Sequence, residues 1–446
     1  MGIPNGRGGL CSALALAVVL FSCATGNPYR ELDSSVAAGT YEQALGIIVR
    51  EQEDRPPLYP ARDAILLRLD RGMIEHYAEQ YGASSADLEE GERLIEAAFT
   101  KSLTLEIASY IVNDNTREYA GEDYEDVYLN AFNALNYYHR GDPEGGLVEI
   151  RRMNEKLQVL ADKYDAGEAS VNEYVRESVE DLRVEREPFT FSNSALARYL
   201  GTLFYRGAGR ADDARIDLEG ISRAYAAAPR VYPHRPPASL AGELAVPAGL
   251  ARLNVIGFAG LSPVKEEEVR LIPLPLPFPN NTAKLALPVL VPRPSAVSRV
   301  EAVIDGGPSF QLELLEDMGA VAAETFKAKY SLTFIKTLAR TITKTVTSAA
   351  TAQVMRELDK QGDSLAGLLV GLAGRIATDI SERADIRMSR YFPGYAYVGG
   401  VNLPPGRYTL TIQYYNRNNR VIASFRMEDV DVRINTLNLA EAVCLQ

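Results

Sequence analysis

The sequence predicts an α+β protein of two domains, a helical repeat domain followed by an antiparallel β-sandwich that carries a helical insert. Three observations predict it. Apolar residues recur at helical spacing through the first half, they alternate with polar residues through the second, and the two regimes meet at the proline-rich stretch Ala228–Pro237. At 446 residues the chain is long enough for more than one core. A composition 46% hydrophobic and 24% charged excludes a largely disordered polymer, a polytopic membrane protein and a disulfide scaffold. The expected organisation is a signal peptide over 1–22, a helical domain over 23–230, a stiff linker over 231–247 and a sheet domain over 248–446, with the insert at about 320–383.

The leader comes first. Residues 1–22 carry one charge, Arg7, ahead of the apolar run Ala13–Leu20, which is the layout of a secretory signal peptide. That run is far shorter than the roughly 20 residues a bilayer span needs. It ends in Leu20-Phe21-Ser22-Cys23, which resembles the bacterial lipobox, with Phe21 bulkier than is usual at its position. The resemblance implies lipidation of Cys23, and Ala24 after it favours the outer membrane over retention at the inner one. With Cys11 removed and Cys23 acylated, Cys444 is the thiol that remains, so no intrachain disulfide is expected. Acyl chains contribute about 0.8 kcal/mol per buried methylene, enough together to anchor a protein without a spanning helix.

The helical half follows. Leu66, Leu69, Met73 and Tyr77 fall on one helical face, as do Leu147, Ile150, Met153, Leu157 and Leu160, and again Ala214, Leu218, Ile221 and Tyr225. Short turns at Gly39-Thr40, Gly141-Asp142-Pro143 and Gly209-Arg210 lead into acidic first helical turns, which the macrodipole favours. These segments look like the turn and second helix of tetratricopeptide repeats. The turns at 39, 141 and 209 are spaced by multiples of the 34-residue period of such repeats, although the intervening slots show no turn. Residues 23–230 hold 39 acidic and 23 basic residues, net −16, whereas 231–446 hold 20 and 23, net +3. The overall charge of −12 therefore belongs to the helical half, and it argues against duplex nucleic acid as a partner.

In the second half, Tyr408, Leu410, Ile412 and Tyr414 alternate with polar neighbours, Asn416–Arg420 makes a turn, and Val421, Ala423, Phe425 and Met427 alternate again. That is a hairpin. Further strands are expected at 250–258, 268–272, 284–291, 297–304 and 310–315. Residues from about 320 to 383 lack alternation and read as two helices broken at Gly362-Asp363. Gly367, Gly371 and Gly374 are spaced for a close helix crossing, in an apolar stretch too short to span a membrane.

The order of parts is similar to that of a family of bacterial envelope lipoproteins that have a tetratricopeptide-like first half and no assigned activity. The match is carried by Asn113-Asp114-Asn115, Tyr124-Glu125-Asp126-Val127, Ala134-Leu135-Asn136-Tyr137, Val148–Arg152, Ala384-Asp385-Ile386-Arg387 and Leu403-Pro404-Pro405-Gly406. Tyr391-Phe392-Pro393 only approximates the element expected after Arg387. Membership implies an envelope scaffold and transfers no active site.

Chemistry is sparse. The three histidines, His76, His139 and His234, show no ligand spacing, and no cysteine pair is placed for zinc, so neither a metal site nor a cofactor is expected. Gly362-Asp363-Ser364 lacks the strand and closing glycine of a nucleophile elbow. Gly207-Ala208-Gly209 joins two helices and makes no phosphate cradle. The densest polar segment is 113–126, where Asn113, Asp114, Tyr119, Glu122, Tyr124 and Glu125 interleave carboxylates with tyrosines. They are candidates to capture a cationic protein partner. The same residues also read as a helix entry whose acids complement the macrodipole. The expectation is a lipid-anchored, periplasm-facing envelope scaffold or adaptor that binds a protein through its acidic helical surface. The alternative is a peptidoglycan-active hydrolase or cell-wall-binding protein that uses acids such as Asp114 and Glu125.

Overall fold

The computed structural model describes residues 27–105, 118–178, 189–273, 282–330 and 384–446. Among them the first half is helical: α1 (Arg30–Ala37), α2 (Tyr41–Glu53), α3 (Ala64–Tyr77), α4 (Tyr81–Leu105), α5 (Asp123–His139), α6 (Pro143–Ser178), α7 (Ala195–Gly207) and α8 (Ala211–Ala227). Successive helices pair as hairpins, α1 with α2, α3 with α4, α5 with α6 and α7 with α8.

Each hairpin closes in the same way. The residue after the first helix's cap is left-handed, with φ of 74° at Gly39, 59° at Glu79, 79° at Gly141 and 73° at Gly209. The next amide then reaches back five residues, from Thr40 to Ser35, Gln80 to Glu75, Asp142 to Tyr137 and Arg210 to Tyr205. The turn at 78–80 was not expected, because Glu79 stands where the other three have the glycine that makes such a turn visible. The expected helical faces are the buried ones: Leu66, Leu69, Met73 and Tyr77 on α3, and Leu147, Ile150, Met153, Leu157 and Leu160 on α6.

Among the described residues the second half contributes nine strands: β1 (Ala251–Leu261), β2 (Val264–Pro273), β3 (Thr282–Val291), β4 (Arg299–Ile304), β5 (Ser309–Asp317), β6 (Pro393–Leu403), β7 (Gly406–Tyr415), β8 (Val421–Val432) and β9 (Asn438–Cys444). Seven form one sheet in the order β8-β7-β4-β5-β6-β1-β9, and β2 and β3 form a separate ribbon. Pairing in the large sheet is antiparallel except between β1 and β9. The expected hairpin is β7–β8; Asn416 Oδ1 accepts the amides of Asn418 and Arg420, and Asn419 takes φ 57°.

Both faces of β1 are buried. Ile256 and Phe258 point to the helices, where the Phe258 ring lies 5.0 Å from that of Phe132 on α5. Leu253, Val255 and Ala259 point the other way, into a second core with Val300, Ala302, Leu410, Ile412 and Tyr414. Tyr414 Oη donates to the Ala442 carbonyl at 2.7 Å, so the sheet curls until β7 meets β9. Gly257 permits the curl, since a Cβ there would lie 3.1 Å from Val300 and 3.2 Å from Tyr414 Oη.

Two expectations about the boundary are corrected. The change from helices to strands does fall between α8 and β1, but the proline-rich segment is not an exposed linker: Val231, Tyr232, Leu240 and Glu243 within it are buried. Nor does it separate two independent cores, because one apolar cluster joins Leu69, Phe132 and Leu200 of the helices to Phe258, Leu315, Tyr391 and Phe392 of the second half. Of the insert, the helix across 318–330 is present and buries Met318, Val321, Ala322 and Ala328. Its expected second helix, with Gly367, Gly371 and Gly374, lies outside the described residues, as do Cys11 and Cys23.

Candidate functional site

Asn113 and Asp114 also lie outside the described residues. The other four candidates, Tyr119, Glu122, Tyr124 and Glu125, are together at the start of α5, and all are buried. The Glu122 backbone N–H donates to Glu125 Oε2 at 2.9 Å, part of a capping box that opens the helix. Tyr119 Oη donates to the same carboxylate at 2.8 Å, and the Ser389 amide donates to its Oε1 at 2.6 Å. Glu122 accepts from Lys265 Nζ at 2.5 Å and Lys329 Nζ at 3.1 Å. Tyr124 Oη donates to the Ser389 carbonyl at 3.3 Å. Beside them Asp70 Oδ1 accepts from Ser389 Oγ at 2.7 Å and from the Arg390 amide at 2.8 Å. These residues therefore do not form an outward patch: Tyr124 and Glu125, with Asp70, grip the segment that leads into β6, and Glu122 holds lysines of β2 and of the 318–330 helix. Burial, then the neighbouring Glu122, pushes Glu125 up to about 7 against the pull of its donors, and burial likewise pushes Asp70 to about 6.

Among the described residues an outward-facing acidic lining occurs in a groove of about 780 Å³ between α4 and α6. Glu89, Glu92 and Glu96 stand on one face of α4, while Val148, Arg152, Glu155 and Val159 recur at three- and four-residue steps along α6. Six acidic and three basic side chains line it. The floor is a network in which Asn130 Nδ2 donates to Glu92 at 2.9 Å and Glu149 at 2.7 Å, while Arg152 Nη1 reaches the two carboxylates at 3.1 and 3.2 Å. Lys156 Nζ sits 2.7 Å from Glu92 and from Asp126. Burial raises Glu92, but Lys156 and its other donors outweigh it and the net shift is downward; at Glu149 burial wins and the shift is upward.

The rim differs from the floor. Glu89, Glu96 and Glu155 are exposed, with Glu89 accepting from Tyr137 Oη at 2.9 Å. Val148 and Val159 are 44% and 59% exposed, and at 1.5 Å per residue they stand about 16 Å apart along the helix. Arg93 turns to Glu90 outside the groove. Surplus acid with two exposed valines suits a basic segment that carries apolar side chains at matching spacing. Its parts come from helices about 60 residues apart in sequence, so no local run marks these scattered glutamates as the dense segment 113–126 is marked.

A further buried cluster joins the two halves. His76 Nε2 and His139 Nε2 lie 2.7 and 3.0 Å from the two carboxylate oxygens of Glu441 on β9, and His76 Nδ1 lies 2.7 Å from Asn136 Oδ1. Another carboxylate, Glu316 on β5, accepts from Tyr128 and Tyr232 hydroxyls at 2.5 Å and from Ser194 Oγ at 2.8 Å. Among the described residues no group of three His, Cys, Asp or Glu side chains is placed to hold a metal ion, and no helix is long and apolar enough to cross a membrane. Comparison of the chain with protein-family models, with curated proteins and with solved structures gives no match.

Proposed function

We propose that the chain is a lipid-anchored scaffold or adaptor of the bacterial cell envelope that binds a basic, amphipathic protein segment in the groove between α4 and α6. The observation that carries this reading is the pairing of an acidic rim with Val148 and Val159, both exposed on one stripe of α6. Neutralised floor carboxylates keep the groove rigid, and the rim acids supply steering and discrimination more than raw affinity. The four hairpins are read as divergent tetratricopeptide-like units and the curled sheet as a sandwich, an arrangement in which repeats offer a concave surface and the sheet braces it. The anchor rests on Cys23: metabolic labelling with a palmitate analogue is expected to tag the natural chain and not Cys23→Ser.

The groove is tested by capture from detergent-solubilised envelope with the natural chain and with Glu89→Lys/Glu155→Lys. A basic partner is expected to be retained by the first and lost from the second, with retention falling as salt rises because exposed charges are screened over about 8 Å at physiological ionic strength. Equal capture by both chains would remove the groove from the reading.

A further inference from the structure

A second cavity, of about 580 Å³, opens where the α7–α8 turn, the 243–250 segment before β1 and the 433–436 turn before β9 meet. This size suits a small ligand, and such sites favour junctions between structural units. Its floor is built on Glu243, which is 0% exposed and takes both Arg206 Nη1 at 2.5 Å and Arg252 Nη2 at 2.9 Å. One carboxylate thus serves two guanidinium groups. Their other acceptors are neutral: Asn254 Oδ1 at 2.5 Å and the Glu243 carbonyl at 2.9 Å for Arg206, and the Ser239 carbonyl at 2.9 Å and Asn402 Oδ1 at 3.3 Å for Arg252. Arg252 is 6% exposed, and its Nε is buried without a hydrogen-bond partner. At the mouth stand Arg215, paired with Glu219 at 2.8 Å, and Arg433, 3.3 Å from Asp431, so the unbalanced positive charge lies at the floor, where Arg206 and Arg252 share Glu243. This local surplus of positive charge is the reverse of the chain's overall −12.

The walls are of another kind. Leu244, Val246, Pro247, Leu250 and Ile434 line the same space, and Leu244 and Ile434 are 38% and 41% exposed. Two guanidinium groups on one buried carboxylate leave a positive charge at the floor that an anion would balance, whereas exposed aliphatic walls favour a hydrocarbon. We propose that this cavity binds an aliphatic carboxylate, its headgroup toward the arginines and its chain along Leu244 and Ile434. The site is independent of the α4–α6 groove.

Calorimetric titration of the purified full chain with decanoate, below its micelle concentration, tests this against acetate, phosphate and 1-decanol. Decanoate is expected to bind saturably, and the headgroup-only and tail-only probes each about tenfold or more weaker. Arg433→Ser and Ile434→Asp change exposed side chains, so the fold should survive, as circular dichroism can verify; each is expected to weaken decanoate about tenfold. Should either variant lose its fold, Leu244→Asp replaces it with the same expectation. Absence of saturable decanoate binding, equal binding of 1-decanol, or full affinity in the folded variants would overturn the proposal.

Discussion

Replacing Glu441 with glutamine should destabilise the protein by an amount that depends on pH in a defined direction. Asn136 Nδ2 donates to Ser84 Oγ at 2.8 Å, and the Ser84 hydroxyl in turn donates to the Gly72 carbonyl at 2.7 Å. The Asn136 amide is thereby oriented, its Oδ1 facing His76 Nδ1, so that nitrogen carries the proton. Glu441 facing Nε2 then favours a proton there as well, and the ring is an imidazolium. Burial alone would lower His76, but Glu441 and Asn136 outweigh it and the imidazole ends above its ordinary value. Burial would raise Glu441, yet the two histidines hold it well below the usual carboxylate range.

The carboxylate's contribution is lost as pH falls below its ordinary unfolded value of about 4.3, through the depressed folded one. The imidazolium's contribution is complete below its unfolded value of about 6.5 and is lost as pH rises through the raised folded one. Together the pair is strongest between about pH 4.5 and 6.5. With side chains 2% and 9% exposed, removal of one partner should cost about 3–5 kcal/mol in that window. Once pH has risen through that raised value, the neutral ring can accept from the new amide, and the cost should shrink toward that of one hydrogen bond, about 1 kcal/mol. Urea unfolding of both chains at about pH 5.5 and 9 measures the difference, in which other titrating groups largely cancel. An equal cost at both pH values, or less than about 1 kcal/mol at the lower one, would refute an imidazolium at this site.

Other outcomes follow from the same structure. Glu125 titrates at about 7 in the folded chain, so stability should fall as pH rises from about 4.5 to 7; Glu125→Gln should flatten that slope in urea midpoints. Gly257→Ala places a methyl 3.1 to 3.2 Å from Val300, Leu312 and Tyr414, and a loss of about 1–3 kcal/mol should appear in denaturant melts. Limited proteolysis should not cut preferentially at 231–247, because Tyr232 and Leu240 are packed in the shared core; two stable fragments parted there would restore an exposed linker.

Local pattern was enough to mark the inward residues of the strongly periodic elements. Helical spacing on α3 and α6 and alternation at Leu410, Ile412 and Tyr414 of β7 name buried faces correctly, because the requirement to bury one side of a regular element is local; on β8 Ala423, Phe425 and Met427 are only half-buried and Val421 is exposed. Three of the four hairpin turns were legible through Gly39, Gly141 and Gly209, while Glu79 adopts the same left-handed turn without the residue that usually reveals it. Two strands were missed for related reasons. β6 carries Gly399 and Gly400, which dilute its alternation but leave room for Phe310 and Arg252 to lie against the backbone. β9, with Ala440, Glu441 and Ala442, has little strand character until β1 pairs with it.

The remaining features depend on long-range packing. Whether Glu122 and Glu125 meet solvent or become buried depends on donors from Lys265 and Ser389, far along the chain, and a carboxylate stays buried only where such partners arrive. The groove between α4 and α6, the arginine-floored cavity and the histidine pair on Glu441 are likewise products of packing between distant segments. Periodicity states that a face must be covered; the covering segment is chosen by long-range contacts that no local pattern records.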